Sequence, residues 1–445
     1  MDIRSVVAKL DAGSGSGFIT NPFLSEKELE HGLTRTSALL NRLGDPRQNL
    51  KFIHVAGSKG KGSVSAYISA ILADIGVRGG RLSSPHLHTW NERIQVDQIT
   101  IGNDALLNIA QDVLNAVRNL EIEDPSLGNV TTNEILLAIA LVHFGHERCE
   151  YAVLEVGLGG RYDATNVVTP RVSVITTLEL EHTGILGSTI EDIAWNKGGI
   201  IKHQIPTVSS WQPGPAVEVL DALAEQCRTR VAIEGRDWHW RETPVGMEVS
   251  TSRRTVRHFS PSMPGKHQRE NAATAVASIL QVDDLSSRLT EELIRDSVAT
   301  VQLPGRFETV DYNGRMIILD VAHTLASMSQ LLSALEERGI VAADVIAGFL
   351  RDKDQRSLIS MLSRLSGELY LTPVASPRSS TVIDLKNSLD EAGMSAHVHG
   401  DFTETWRTIC RATSAAPLVI TGSFAIIREA RTLLGMPESH RDLAT

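Results

Sequence analysis

The chain has 445 residues, 42% of them hydrophobic and 22% charged, which is the balance of an ordinary globular protein with room for two or three cores. A formal charge of −10 leaves no basic excess to release counterions, arguing against a general binder of nucleic acid or anionic membranes, although local lysines and arginines can still hold a small anionic substrate. Cys149, Cys227 and Cys410 are odd in number, far apart and without a C-x-x-C pair, so neither a zinc site nor a disulfide framework is indicated and a reducing cytosol fits.

At the N-terminus, "MDIRSVVAKLDAGSGSG" lacks the apolar core of a signal peptide, and its Gly13–Gly17 run reads as a loop. No run of about 18 apolar residues follows anywhere, so a cytoplasmic protein without a membrane partner is expected. "KFIHVAG" reads as a buried strand ending in glycine. After Ser63, Val64, Tyr67, Ile68, Ile71, Leu72 and Ile75 recur at helical spacing, with Gly76 as the stop. A nearly all-apolar helix, "EILLAIALVHF", precedes strands at "YAVLEVG" and "RVSVITT". "DWHWRETPVGMEVSTSRRTVRHFS" alternates like an antiparallel hairpin, and "QRENAATAVASILQ" returns to helix. Pro304 and Gly305 break the pattern, and "MIILDVAH", "ADVIAGF", "GELYLTP" and "PLVITGS" follow as strands of a second, smaller α/β domain beginning near residue 300.

Between the first strand and its helix lies "HVAGSKGKGS". A standard phosphate loop sets lysine next to the hydroxyl residue, whereas here Gly62 separates Lys61 from Ser63. Either this is a degenerate turn with solvated lysines or a phosphate loop of another enzyme class. Gly57, Gly60 and Gly62 allow close backbone approach, Lys61 supplies charge, and the Ser63 hydroxyl is placed to ligate magnesium. Glu155, near the end of an apolar strand, wants a metal or a cation if buried, and is otherwise an edge glutamate facing solvent. His182 stands beside Glu179 and Glu181 at the end of the next strand, where open α/β sheets place ligands. On their own, Lys197 reads as a helix C-terminal lysine, and Arg306, Asp320 and His323 as salt-bridge partners near the start of the second domain.

Together these motifs resemble the folylpolyglutamate synthase and dihydrofolate synthase group of Mur-type ligases, whose phosphate loop carries the extra glycine. "SSPHL", "NERI", "LEVGLGGRYDATN", "EHTGILG", "KGGIIK", "LPGRFE", "DVAHT", "DKD" and "VITGS" follow in the family's order, covering roughly residues 35 to 435. The resemblance implies an α/β fold: a P-loop ATPase domain with a mostly parallel sheet and a pterin-binding loop over 1–298, and a smaller Rossmann-like glutamate-ligase domain over 299–445, with ATP between them. By motif position Gly57, Ser58, Lys59, Gly60, Lys61, Gly62 and Ser63 would hold ATP, with Asn271 near the adenine and Arg306 and Asp320 at its phosphate and ribose. Ser63, Glu155 and His182 would ligate magnesium, and a carbamylated Lys197 would help hold a second ion. Lys61, Lys197 and His323 would act in catalysis, while Ser84, Pro85, His86 and Leu87 would meet the pterin.

Some residues depart from the pattern. Ser58 and Lys59 stand where many bacterial members have threonine and asparagine, and Thr324 where they have asparagine, features closer to the eukaryotic polyglutamylating branch. Val321 replaces a usual glycine and Glu181 a usual aspartate. The reaction implied is ligation of L-glutamate to a folate or dihydropteroate carboxylate, with ATP giving ADP and phosphate, by a monomeric enzyme. A silent nucleotide-binding relic, or a ligase for another carboxylate, is the alternative. A peptidoglycan-precursor ligase is disfavoured, because only 56 residues precede Gly57.

Overall fold

A computed structural model describes residues 26–365, 367–411 and 415–436; the Gly13–Gly17 run lies outside them. Two compact units divide the chain. One runs to Pro261 and resumes over Arg269–Val301, and the other takes Ser262–Gln268 and the described residues from Gln302 onward.

The first unit is built on an eight-stranded sheet: β1 (Lys51–Ala56), β2 (Gly79–Leu82), β3 (Ile94–Val96), β4 (Ile99–Thr100), β5 (Tyr151–Glu155), β6 (Val172–Ile175), β7 (Thr207–Ser209) and β8 (Val231–Ile233). Their order is β4-β3-β2-β5-β1-β6-β7-β8, parallel except at the β3 and β4 edge. Val55 pairs with both Glu155 and Val174, so the three strands legible as apolar runs lie side by side and end together. A sheet covered on both faces needs such unbroken apolar runs.

Helices α1 (Glu26–Arg42), α2 (Lys61–Asp74) and α3 (Thr132–His146) belong to this unit. Leu39 and Leu40 of α1 and Leu137, Leu141 and Phe144 of α3 share one core with Phe52 and Leu154 of the sheet. That burial is why α3 is apolar on every side. Its start is fixed twice: Thr131 and Glu134 form a capping box, and Glu134 also takes a bidentate pair from Arg35, at 2.8 and 2.6 Å. Helix α2 begins at Lys61, ahead of the apolar positions that reveal it, because left-handed Gly60 ends the loop there.

Helix α4 (Ile190–Lys197) and helix α5 (Lys266–Ile279) follow. Between them the expected hairpin proves to be a three-stranded antiparallel sheet of β9 (His239–Thr243), β10 (Gly246–Ser250) and β11 (Thr255–Phe259). The alternation shows the strands but hides the second reversal, closed where Thr251 N–H donates to Arg254 O at 3.0 Å.

The second unit holds a six-stranded sheet: β12 (Glu308–Tyr312), β13 (Arg315–Asp320), β14 (Asp344–Ala347), β15 (Leu369–Leu371), β16 (His397–Val398) and β17 (Leu418–Thr421). The order is β12-β13-β17-β14-β15-β16, with only β12 antiparallel. Met328, Leu331 and Leu335 of α6 (Leu325–Glu337) pack on Ile318, Val345 and Val419 to make its core. Helix α7 (Phe424–Leu433) opens directly after β17, capped by Ser423. Among the described residues no helix is long and apolar enough to cross a membrane.

Candidate active site

The glycine-rich loop is held by tight contacts that only glycine permits. Gly57 has φ 148°, and a Cβ there would lie 1.8 Å from Thr176 Oγ1; Gly60 has φ 87°, and a Cβ there would lie 2.2 Å from Asn271 Oδ1. The loop is therefore pressed between the end of β6 and helix α5. Ser58 N–H and Lys59 N–H donate to Thr177 O at 3.0 and 3.2 Å. The Ser58 hydroxyl donates to Glu179 O and accepts from Glu179 N–H, both at 3.0 Å. This rigid turn delivers the chain into α2, whose first N–H groups have no partners within the helix and favour an anion.

Three lysines converge on that loop. Lys61 Nζ and Lys197 Nζ both donate to Gly57 O, at 2.8 and 2.9 Å. Glu181 accepts from Lys197 Nζ at 3.0 Å and lies 3.5 Å from Lys59 Nζ. Lys197 does end its helix, as its sequence context suggests, but its side chain turns inward and is only 2% exposed. Burial, with the Lys61 charge adding, pulls its pKa down to about 8 against the opposing pull of Glu181. Glu181 itself is held below the usual carboxylate range, the Lys197, Lys61 and Lys59 charges outweighing the burial that would raise it.

Glu155 is buried on a central strand, which removes the reading of a solvent-facing edge residue. Its carboxylate stands over the start of α2: a Cβ on Gly62 would lie 3.6 Å from Oε2, and Ser63 beside it is buried. Oε2 also accepts from Ser84 N–H at 3.2 Å, drawing the "SSPHL" loop to the same place. The short helical turn after that loop holds it: Glu92 accepts from the N–H groups of Leu87, His88 and Thr89, and His86 Nδ1 accepts from Arg93 Nε–H at 2.9 Å. Leu87 is buried, whereas Pro85 is exposed. His182, left-handed at φ 49°, is exposed at the start of a short helix.

Among the described residues no three His, Cys, Asp or Glu side chains gather as a metal cage. Magnesium does not need one, since it keeps waters and binds through one or two carboxylates together with phosphate oxygens. Buried Glu155 over Gly62, with Ser63 the next residue of a loop that resembles a phosphate loop, fits that chemistry.

Two glycine pairs dovetail behind the site. A Cβ on Gly160 would lie 2.8 Å from Lys197 O, and one on Gly199 would lie 2.4 Å from Arg161 Cα. Arg161 N–H donates to Asn196 O at 2.8 Å, and its guanidinium lies 3.9 Å from the centre of the exposed Trp195 ring. Asn166 Nδ2 bridges Arg161 O and Gly199 O at 2.8 and 3.1 Å. Asp163 closes the turn, accepting from Gly157, Leu158 and Thr165 N–H. Burial pushes its carboxyl up while those bonds favour the ionised form. These residues sit within the motifs read from the sequence but had no role there, because their partners lie up to 38 positions away.

In the second unit, Asp320 ends β13 with both oxygens engaged, accepting from Phe307 N–H at 2.8 Å and Ala322 N–H at 2.9 Å. Burial raises its pKa against the Arg306 charge. His323 Nδ1 lies 2.7 Å from Val321 O, so this nitrogen carries the proton and donates. The rings of His323 and Phe424 are 6.1 Å apart, and the Arg306 guanidinium lies 5.6 Å from the Phe424 ring centre. Phe424 was missed; its one signal is its place directly after "VITGS".

A loop that presents backbone N–H groups and lysines beside a buried carboxylate, at the ends of parallel strands, defines a phosphate-handling α/β enzyme. Residues 55–279 match the Mur ligase middle domain, and residues 305–424 match the Mur ligase glutamate ligase domain. A folylpolyglutamate synthase from Lacticaseibacillus casei is 32% identical over 413 residues, covering 90% of this chain and 94% of the relative. A dihydrofolate synthase/folylpolyglutamate synthase from Bacillus subtilis is 31% identical, covering 91% and 95%. The crystal structure of Mycobacterium tuberculosis folylpolyglutamate synthase complexed with ADP and AMPPCP superposes with a TM-score of 0.82 at 28% identity, covering 91% and 96%. The chain belongs to the folylpolyglutamate synthase and dihydrofolate synthase group of Mur ligases, and is an ATP-dependent ligase.

Proposed function

We propose that this enzyme joins L-glutamate to the carboxylate of a folate or dihydropteroate, using ATP and releasing ADP and phosphate. The observation that carries the reading is the convergence of Lys61 and Lys197 on Gly57 O, beside a buried Glu155 over the start of α2. We assign residues 1–298 to the ATPase domain and 299–445 to the glutamate-ligase domain of a monomeric, cytoplasmic enzyme.

The acceptor carboxylate attacks the γ-phosphorus of ATP, the bond from that phosphorus to ADP breaks, and an acyl phosphate forms. The amine of L-glutamate then attacks the acyl carbon, loses a proton, and phosphate departs. The first step brings two anions together, so catalysis rests on fixed positive charge. The α2 N-terminus and Lys61 supply it at the loop, where Gly57–Ser63 would wrap the phosphates with the Ser58 and Lys59 N–H groups engaged by Thr177 O, and Asn271, at Gly60, would lie near the adenine. Ser63, Glu155 and His182 would hold magnesium, which supplies charge neutralisation at the phosphate oxygens. Arg306, Asp320 and His323 are assigned to the nucleotide, and Ser84, Pro85, His86 and Leu87 to the pterin side of the acceptor.

Lys197 is assigned to carbamylation, its carbamate helping to hold a second magnesium ion. The neutral amine attacks dissolved carbon dioxide, one proton is released, and a carboxylate replaces the ammonium. The lowered pKa supports this by leaving a free-base fraction near pH 8.

Oxygen-18 in the acceptor carboxylate tests the chemistry. An acyl phosphate sends one labelled oxygen into each phosphate released; unlabelled phosphate would overturn the mechanism.

A further inference from the structure

We propose that His54 is a positioning residue, which through Thr165 and Asp163 fixes the turn that follows Glu155. His54 lies in β1, three residues before Gly57, and its ring is wholly buried. Nε2 lies 2.8 Å from Thr165 Oγ1. The Thr165 hydroxyl has one proton, and that proton goes to Asp163 Oδ1. Toward His54 the hydroxyl can therefore only accept, which fixes the ring as its Nε2–H tautomer. The other nitrogen, Nδ1, has no hydrogen-bond partner among the described residues.

Asp163 completes the chain. Its Oδ1 also accepts Thr165 N–H at 2.9 Å, and its Oδ2 accepts Gly157 N–H at 3.1 Å and Leu158 N–H at 3.2 Å. Those amides begin immediately past the last rung of the sheet here, Val156 N–H to Val55 O at 2.9 Å. Beyond that rung the chain runs Gly-Leu-Gly-Gly, with little side-chain bulk to hold it. The relay takes over where the ladder stops, tying this turn to the strand that carries the phosphate loop. A neutral donor is what the place requires: a lysine or arginine would bring an uncompensated charge into the core. Burial, with the Lys202 charge adding, holds the imidazole down to about 3, which keeps it neutral at working pH.

The test uses the full chain with His54→Leu, His54→Gln, Thr165→Val and Thr165→Ser. Glutamine can place an amide N–H near the position of Nε2, and serine keeps the hydroxyl. Hydrogen exchange followed by mass spectrometry over residues 155–166 should speed up at least about tenfold in His54→Leu and Thr165→Val, and stay within about threefold of wild type in the two conservative variants. The kcat for glutamate-dependent ADP release should fall about tenfold in the same two variants and recover with glutamine and serine. This kinetic arm rests on the proposed ligase activity, and the exchange arm does not. Unchanged exchange in Thr165→Val, or equal acceleration in His54→Gln and His54→Leu, would overturn the proposal. Should His54→Leu fail to fold, the threonine pair decides.

Discussion

Lys61 and Lys197, 136 positions apart, donate to one acceptor, the carbonyl oxygen of Gly57, at 2.8 and 2.9 Å. Two cations sharing a neutral oxygen repel each other, and their mutual charge is part of what lowers the Lys197 pKa. The arrangement favours the neutral Lys197 amine that carbamylation needs, and leaves the charge at the phosphates to Lys61 and the α2 N-terminus.

Lys197→Met should therefore lower kcat at least about 100-fold. It should leave the thermal midpoint within a few degrees, because the variant removes a buried charge while Glu181 keeps Lys59 beside it. Lys61→Met should also lower kcat and in addition raise KM for ATP, since its target is the phosphate. Steady-state kinetics and thermal unfolding of both variants separate these effects.

Gly60 and Asn271 are coupled by space. Gly60→Ala should destabilise the protein by about 2 kcal/mol, from the left-handed backbone and the 2.2 Å approach to Asn271 Oδ1. Adding Asn271→Ala should recover about half of that loss, because only the steric part is relieved. Urea unfolding of the two single variants and the double variant measures the coupling.

His54 gives a pH dependence of known sign. Its native pKa, about 3, is well below the ordinary value of 6.5. Between those values the unfolded chain binds a proton that the native ring refuses, so this residue withdraws stability as pH falls from 6.5 toward 3. The loss amounts to at most about 4 kcal/mol. His54→Gln cannot bind that proton, so its stability should fall less steeply over the same window when both proteins are unfolded with urea.

The Arg35–Glu134 pair tests the fold away from the chemistry. Both side chains are largely buried and bidentate, and Glu134 also closes the N-terminal box of α3. Glu134→Ala leaves a buried guanidinium without its partner and should cost about 3 kcal/mol. Adding Arg35→Met should return at least about 1 kcal/mol by removing that charge. The urea midpoints of the single and double variants report it.

Much of this was legible because the site lies where local signals are strongest. The ends of β1, β5 and β6 are marked by apolar runs that stop at or just before glycine or threonine, so Gly57, Glu155 and the Glu179–His182 segment could be picked out and placed at one edge of a sheet. Periodicity also gave α2, and the apolar run over 134–144 gave α3, which extends two residues beyond that run at each end. It could not show that Lys197 turns inward, because a lysine ending a helix is ordinarily solvated and its burial here depends on Gly57 and Glu181. Nor could it give roles to Arg161, Asp163 and Thr165. Their partners, Trp195 and Asn196 in one case and His54 in another, come together only through the sheet order. The same limit hid the third strand beside β9 and β10, and the ring of Phe424 near His323.

The central claim is ligation of glutamate, and product analysis tests it most directly. Purified protein with magnesium-ATP and L-glutamate would be supplied in parallel with dihydropteroate and with tetrahydrofolate. The account predicts ADP release that requires both glutamate and an acceptor, with one glutamyl residue added for each ADP formed. ATP binding without glutamate-dependent ADP, or ADP release with no glutamylated product from either acceptor, would contradict it.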